Sequence, residues 1–278
     1  MFYYTALSIA GSDCSGGAGI QADIKTMSAL GVYAASVITY VTVQNTLGVE
    51  SLCPIDSYAI ERQIHAVMND IRPMAIKIGM MGNKDTVEAI VKSLSIYYHG
   101  NMVVDPVLVS TSGSVLLDND AIDIMCRRLL PMATVITPNI HEAEVLANMK
   151  IINKDDIKLA ARRILDYGCG AVLIKGGHIE GNNKCDILVE RKQNGYYEEH
   201  EYNSITVDSK NTHGTGCTLS SAIAAYLAQG MNLTHAVEEA KEYITMAIAE
   251  GADVCIGKGH GPLNHFFNPM KMIKTIQK

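Results

Sequence analysis

An α/β fold with a mostly parallel sheet is what this chain predicts, and three observations carry it. Short apolar segments rich in Val and Ile alternate with longer helix-forming segments through most of the sequence. Polar or glycine-rich clusters follow the apolar segments, the pattern of strands whose carboxyl ends face a ligand cleft. The alternation breaks near Cys185, where two strand-like segments follow one another and predict an antiparallel hairpin at one edge.

Residues 6–10 read as the first strand. It opens into G-S-D-C-S-G-G-A-G-I-Q-A-D, residues 11–23, where four glycines permit an irregular loop close to a ligand. No Lys follows those glycines, so the loop is not a Walker A motif, and the G-x-G-x-x-G fingerprint is absent. A helix then runs to about residue 30 and stops at Gly31. Residues 34–43 form a strand rich in Val, Ile and Thr, ending in Gln44, Asn45 and Thr46. Helix 56–68, strand 75–78, helix 85–98 and strand 102–104 follow, the last breaking at Asp105-Pro106. Asp118 is placed as the cap of a helix to 130, and strand 135–137 leads into Pro138-Asn139-Ile140-His141-Glu142 and a short helix. Helix 154–167 and strand 171–174 precede Lys175-Gly176-Gly177-His178. The hairpin pairs 185–190 with 196–202 through Lys192-Gln193-Asn194-Gly195. Helix 233–250 and a loop holding 257–262 complete the chain. No linker, repeat or low-complexity run divides it, which predicts one domain over 1–278.

Composition narrows the function. With 48% hydrophobic residues the chain can build a sizeable core. A net charge of −6 without a Lys/Arg cluster argues against a nucleic-acid surface, and the absence of Trp argues against stacking platforms for single strands. The seven cysteines are scattered and never spaced C-x-x-C, which speaks against a disulfide framework or a zinc site and for a reducing compartment. No basic n-region opens the chain and no run approaches a membrane span, so the expected location is cytoplasmic, with no membrane partner.

The chemistry centres on residues 211–229, N-T-H-G-T-G-C-T-L-S-S-A-I-A-A-Y-L-A-Q. Gly214 and Gly216 stand directly before a run of helix formers. A glycine turn feeding a helix leaves backbone N–H groups unpartnered at the positive end of the helix dipole, a ready anion site. Cys217 lies at that helix start, where a thiol pKa tends to fall. Asp105, Asn139, Glu142 and Lys175 all fall at or just past strand ends and are expected on the same rim. Oxygen ligands of this kind suit Mg²⁺ shared with phosphates, and a Lys suits a transferring phosphoryl group. Each residue also has a plainer reading. Asp105 before Pro106 makes a turn, Asn139 and Glu142 make a capping box, and Lys175 is a solvated charge. Their joint placement favours phosphoryl transfer. His213 is adjacent in sequence, but adjacency does not establish contact, and it is given no role.

The chain resembles the hydroxymethylpyrimidine and phosphomethylpyrimidine kinases of thiamine biosynthesis, within the ribokinase-like superfamily. The matching segments are I-A-G-S-D-C-S-G-G-A-G-I-Q-A-D at 9–23, S-V-I-T-Y-V-T-V-Q-N-T at 36–46, K-I-G-M at 77–80 and V-D-P-V at 104–107. T-P-N-I-H-E-A at 137–143, K-G-G-H at 175–178, N-T-H-G-T-G-C-T-L-S at 211–220 and G-H-G-P at 259–262 complete the set. The resemblance implies a three-layer αβα fold and ATP-dependent phosphorylation of 4-amino-5-hydroxymethyl-2-methylpyrimidine and then of its monophosphate. It implies that Gly11, Asp23, Gln44, Met80 and Val107 belong to the pyrimidine pocket. Asp105, Asn139 and Glu142 would serve Mg-ATP, with Asp105 and Glu142 reaching Mg²⁺ partly through water. Lys175 would meet the phosphates, Thr212 would lie beside the nucleotide, and Gly214, Thr215, Gly216 and Cys217 would form the anion hole. Cys217 stands where most of the superfamily has an aspartate base, a departure shared with the pyrimidine kinases and related pyridoxal kinases. Relatives also imply a homodimer.

Two rivals are weighed. A pyridoxal kinase shares the Cys, the anion turn and the acidic set. The discriminator is Gln44, whose amide offers one acceptor and one donor to match an amino group beside a ring nitrogen. A non-catalytic nucleotide or vitamin binder would be favoured by loss of the Lys, the acids or the turn, and all are present.

Overall fold

Strands covered on both faces need apolar side chains at successive positions, not alternate ones. Val135–Ile136 and Ala171–Ile174 have that character, as does Ala75–Ile78 apart from Lys77, and all three are central strands in the computed structural model of the chain. The structure describes residues 1–98, 100–109, 116–176, 183–192 and 195–276.

In chain order the first half comprises β1 (Phe2–Tyr3), β2 (Thr5–Asp13), α1 (Gly19–Ala29), β3 (Tyr33–Asn45), β4 (Gly48–Pro54), α2 (Ser57–Asp70), β5 (Ala75–Ile78), α3 (Lys84–Tyr97) and β6 (Asn101–Val104). Then come α4 (Asn119–Ile124), β7 (Val135–Ile136), α5 (Ile140–Ala147), α6 (Lys154–Leu165), β8 (Ala171–Ile174), β9 (Asn183–Arg191), β10 (Tyr197–Ile205), α7 (Thr215–Ala228), α8 (Leu233–Ala249) and β11 (Lys274–Thr275). The helix expected to run to 130 is α4 followed by a π turn, Met125–Leu129, and a 3₁₀ turn, Leu130–Met132. Asp118 occupies its N-cap position, but its side chain accepts no capping hydrogen bond.

A nine-stranded sheet has the order β10-β9-β8-β7-β6-β5-β2-β3-β4. Strands β2, β3, β5, β6, β7 and β8 run parallel. The expected hairpin is β9–β10, closed where Lys192 N donates to Tyr196 O at 2.9 Å; Gln193 and Asn194 of its turn lie outside the described residues. At the other edge β4 pairs antiparallel with β3, a second hairpin that the sequence reading did not anticipate. The sequence places the strand over 34–43, with Gln44, Asn45 and Thr46 as the polar groups at its carboxyl end. The chain instead stays extended through Asn45 and folds back, and β4 is largely exposed, so its composition carries little core signal. The short pair β1–β11, tying the two ends of the chain together, was also missed.

The two faces of the sheet carry separate cores. Leu7, Ile9, Ile76, Ile78 and Val104 pack under α2, α3, α4, α5 and α6. Ala6, Ala75, Val103 and Leu173 pack under α1, α7 and α8. Helix α7 is buried at every position from Thr218 to Ala228, because it lies against the sheet with α1 and α8 beside it. Each fully buried Ile or Leu in these layers contributes about 1.5–3 kcal/mol. Strand order reverses at β2, with β3 on one side and β5 on the other. In such sheets the crevice beyond the carboxyl ends at the reversal is where ligands bind. Gly11–Asp13 at the carboxyl end of β2, Gly79–Met80 after β5 and Asp105 after β6 lie there.

Candidate active site

Gly214 is the N-cap of α7, with φ +87°. A β-carbon there would lie 1.9 Å from the carbonyl oxygen of Gly17, so the loop after β2 and the turn before α7 interlock only with glycine at this point. Thr215 N reaches Thr212 O at 3.3 Å, and Thr218 N is bonded to Gly214 O at 2.9 Å. The amides of Gly216 and Cys217, in the first turn between them, face out of the helix start. Thr212 is half-buried and its carbonyl helps close this turn.

Lys175 and Asp105 meet in front of that turn. Lys175 Nζ is 3.0 Å from Asp105 Oδ1. A β-carbon on Gly216 would stand 3.4 Å from Lys175 Nζ and 3.5 Å from Asp105 Oδ2. The pair is therefore placed as the rim argument expected. Lys175 extends β8 by a bridge to Asn139, with its amide bonded to Pro138 O at 2.9 Å. Asp105 also accepts from Thr137 Oγ1 at 3.1 Å and Ser220 Oγ at 3.4 Å. Burial alone would raise the Asp105 pKa, but Lys175 and Lys77 outweigh it and hold the carboxyl below its ordinary range. Gly177 and His178, which follow Gly176, lie outside the described residues.

Asn139 and Glu142 form the capping box of α5. Glu142 N donates to Asn139 Oδ1 at 2.9 Å, and Asn139 N donates to Glu142 Oε2 at 2.8 Å. The plainer reading of Asn139 thus holds for its side-chain oxygen, which is committed to the helix. Glu142 keeps a second role open. Burial pushes its pKa up, Lys175 pulls it down and Asp105 pushes it up again. Two buried carboxylates share Lys175 as their near cation, and their donor atoms are all oxygen. That set fits a hard divalent cation such as Mg²⁺.

Cys217 departs from the sequence expectation. The helix start was expected to lower its pKa, yet the thiol is pushed up to about 11. Enclosure of the sulfur is the largest cause; Lys77 acts against it, while Asp23 and Asp105 add to it. Desolvation of a would-be thiolate outweighs the helix end. The thiol is protonated at neutral pH.

Of the residues assigned to a substrate pocket, Gly11, Met80 and Val107 come together. A β-carbon on Gly11 would be 3.1 Å from Met80 Sδ, and Val107 packs against the small cluster of Tyr40, Met80 and Leu116. Asp23 does not face this space. Its carboxylate is fully buried on α1, paired with Lys77 Nζ at 2.8 and 2.9 Å and accepting from Ser8 Oγ at 2.5 Å and Ser221 Oγ at 2.6 Å. With these partners it braces the sheet, α1 and α7 beneath Cys217. Gln44 sits near the end of β3, its amide 3.0 Å from His213 Nε2.

Sequence reasoning missed Lys77, Asp13, Tyr40 and His213. Lys77 carried a signal, a lone charge inside an apolar strand. His213 lies inside the glycine turn motif, and its contact with Asp13 crosses 200 positions. A groove of about 340 Å³ between β10 and α8 is lined by Glu201, Lys241 and Met246 among others, and by none of the residues above.

A family model described as phosphomethylpyrimidine kinase matches residues 13–264. The chain is 44% identical over 268 residues to a hydroxymethylpyrimidine/phosphomethylpyrimidine kinase of Rhizobium meliloti, covering 94% of this chain and 96% of that protein. It is also 44% identical to the thiamine biosynthesis bifunctional protein ThiED of Geobacter sulfurreducens, of which it spans about half, 52% of the length. Among solved structures, a phosphomethylpyrimidine kinase of Clostridium difficile is 45% identical with a TM-score of 0.76, covering 88% of this chain and 99% of that one. A pyridoxal kinase of Staphylococcus aureus in complex with AMP-PCP and pyridoxal is 30% identical with a TM-score of 0.86, covering 98% and 97%.

Proposed function

This chain belongs to the phosphomethylpyrimidine kinase family, and from that premise we propose that it phosphorylates 4-amino-5-hydroxymethyl-2-methylpyrimidine, and then the monophosphate, with ATP. The observation that carries the reading is the Lys175–Asp105 pair set 3.0 Å apart against the Gly214–Cys217 turn. Phosphoryl transfer asks mainly for positioning and charge neutralisation, and this arrangement offers both. The amides of Gly216 and Cys217 receive phosphoryl oxygens, and Lys175 adds positive charge beside them. Asp105 and Glu142 would hold Mg²⁺, in part through water. Its chemistry, when bound, is to neutralise charge on the phosphates.

Gly11, Met80 and Val107 supply an apolar wall for the pyrimidine, and Gln44 reads its polar edge. Cys217 is assigned to take the proton of the substrate hydroxyl. That role needs the thiolate, which Lys77 and Lys175 beside it favour and burial opposes. Seven free cysteines fit a reducing, cytoplasmic setting, and among the described residues no helix is long and apolar enough to cross a membrane. Val41, Val43 and Leu47 are exposed along β3 and its turn, an apolar strip suited to a second copy of the chain.

ADP release measured with the pyrimidine, its monophosphate and pyridoxal as acceptors tests the reading. Turnover of the two pyrimidines is expected to exceed that of pyridoxal. Gln44→Met keeps the side-chain length and removes both amide hydrogen bonds. It should lower kcat/KM for the pyrimidine about tenfold to a hundredfold, the equivalent of about 1–3 kcal/mol. Pyridoxal, which lacks the amino group, should lose much less. Equal losses would leave Gln44 a structural residue and reopen the choice of pyridoxal kinase.

A further inference from the structure

Behind Gln44 lies a polar chain that none of these roles uses. Asp13 closes β2 and has both carboxylate oxygens occupied. Oδ1 accepts from Ser15 N at 2.8 Å and Ser15 Oγ at 2.7 Å. Oδ2 accepts from Gly17 N at 3.1 Å and Ala18 N at 2.8 Å, and lies 2.8 Å from His213 Nε2. Burial alone would raise this carboxyl's pKa, but hydrogen bonds from His213, Ser15 and Ala18 more than offset it and hold it at about 2. It is a carboxylate at any working pH.

His213 is held on its other sides. Its backbone N donates to Gly261 O at 3.1 Å. Its ring lies against Gly17, where a β-carbon would stand 2.4 Å from Cδ2. The same Nε2 that faces Asp13 lies 3.0 Å from the Gln44 amide nitrogen.

One imidazole nitrogen cannot serve an accepting carboxylate and a donating amide together. Bare, it turns a lone pair toward an ionised oxygen. Protonated, it has a proton to share and nothing with which to accept. The charged oxygen is the stronger partner, so Nε2 carries the proton. The two ends of an amide have nearly the same shape, so a half-turn about the last side-chain bond exchanges them without steric cost.

We propose that His213, fixed by Asp13 with its proton on Nε2, is a specificity-determining positioning residue that turns the Gln44 oxygen toward itself and leaves the Gln44 NH₂ group for the ligand. The edge that Gln44 offers then has a fixed order. The oxygen keeps a second lone pair at the His213 end, and the donor stands at the other. Such an edge takes a flat heterocycle with an amino group beside an accepting ring nitrogen in one orientation, and rejects the reversed order. The link to specificity rests on Gln44 being a pocket residue, as proposed above; the position of the proton does not.

Two measurements test this. The first is a long-range ¹H–¹⁵N spectrum of the imidazoles in the substrate-free protein at about pH 8, with His213 assigned by loss of its signal in His213→Phe or His213→Gln. A proton on Nε2 is expected. A bare Nε2 overturns the proposal whatever the substrate proves to be. The second is the steady-state kinetics of His213→Phe, which preserves a ring but severs the link. KM for the pyrimidine should rise about tenfold while that for pyridoxal moves less than about threefold. Equal changes for both acceptors, or none for the pyrimidine, overturn the specificity role. Should the wild-type protein turn over no pyrimidine, the proposed function fails, and the spectrum still decides the Asp13–His213–Gln44 geometry.

Discussion

Gly214 and Gly216 stand two residues apart in one turn, and substitution should damage the protein in two different ways. At Gly216 the backbone has no positive φ, and an added β-carbon meets Lys175 Nζ at 3.4 Å and Asp105 Oδ2 at 3.5 Å, which are ordinary contacts. In a helix, Ala in place of Gly is favourable by up to about 1 kcal/mol. Gly216→Ala should therefore fold as well as the wild type. Its methyl group, however, enters the space between the α7 amides and Lys175. Loss of one oxyanion donor costs about 10²–10³ in kcat, or about 2.7–4 kcal/mol. Gly216→Val should reach that range, with Gly216→Ala between it and the wild type. Gly214→Ala is the contrasting case. Its φ of +87° costs a non-glycine residue about 1–2 kcal/mol. A β-carbon 1.9 Å from Gly17 O must also push two loops apart, for about 1–3 kcal/mol more. The expected loss of stability is about 2–5 kcal/mol. Urea midpoints and ADP release, measured on all three variants in one buffer, separate the effects. Wild-type kcat in Gly216→Val would falsify the assignment of this turn to phosphate. A Gly216→Ala as unstable as Gly214→Ala would show that the turn is a structural joint only.

Two further outcomes follow from the ionisable groups. Because burial raises the Cys217 thiol to about 11, its alkylation by iodoacetamide in the free protein should still be accelerating at about pH 9–10, and a plateau below about pH 8.5 would contradict this enclosure. In kinetics, Cys217→Ala should lose about 10²–10⁴-fold in kcat if the residue is the base, whereas a loss under about threefold would leave it a packing residue. The Asp13 carboxyl is depressed from 3.8 to about 2 in the folded state, so its contribution is present above the unfolded value and disappears as pH falls through the folded one. The stability gap between wild type and Asp13→Asn, read from urea melts, should shrink by about 1 kcal/mol between about pH 5 and pH 3. A gap independent of pH would mean that Asp13 is not ionised by its partners.

Local signals were enough for the central architecture. Strands 75–78 and 171–174 were placed to the residue, because strands covered on both faces are short, mostly apolar runs bounded by breakers, with Lys77 the one charge among these eight positions. The gathering of the glycine turn before α7, the acids at 105 and 142, and Lys175 was legible because each lies at a strand or helix end, and parallel strands bring such ends to one rim. The exposed hairpin β3–β4 escaped notice because an edge strand that buries little has little hydrophobic pattern to read. Tertiary structure alone decided how the side chains are spent. It gave the Asn139 oxygen to a helix cap, turned Asp23 inward to Lys77, and raised the Cys217 thiol where a helix start by itself would lower it. It also joined Asp13 to His213 and Gln44, residues far apart in the chain. Desolvation and hydrogen-bond partnership depend on neighbours distant in sequence, and no local pattern encodes them.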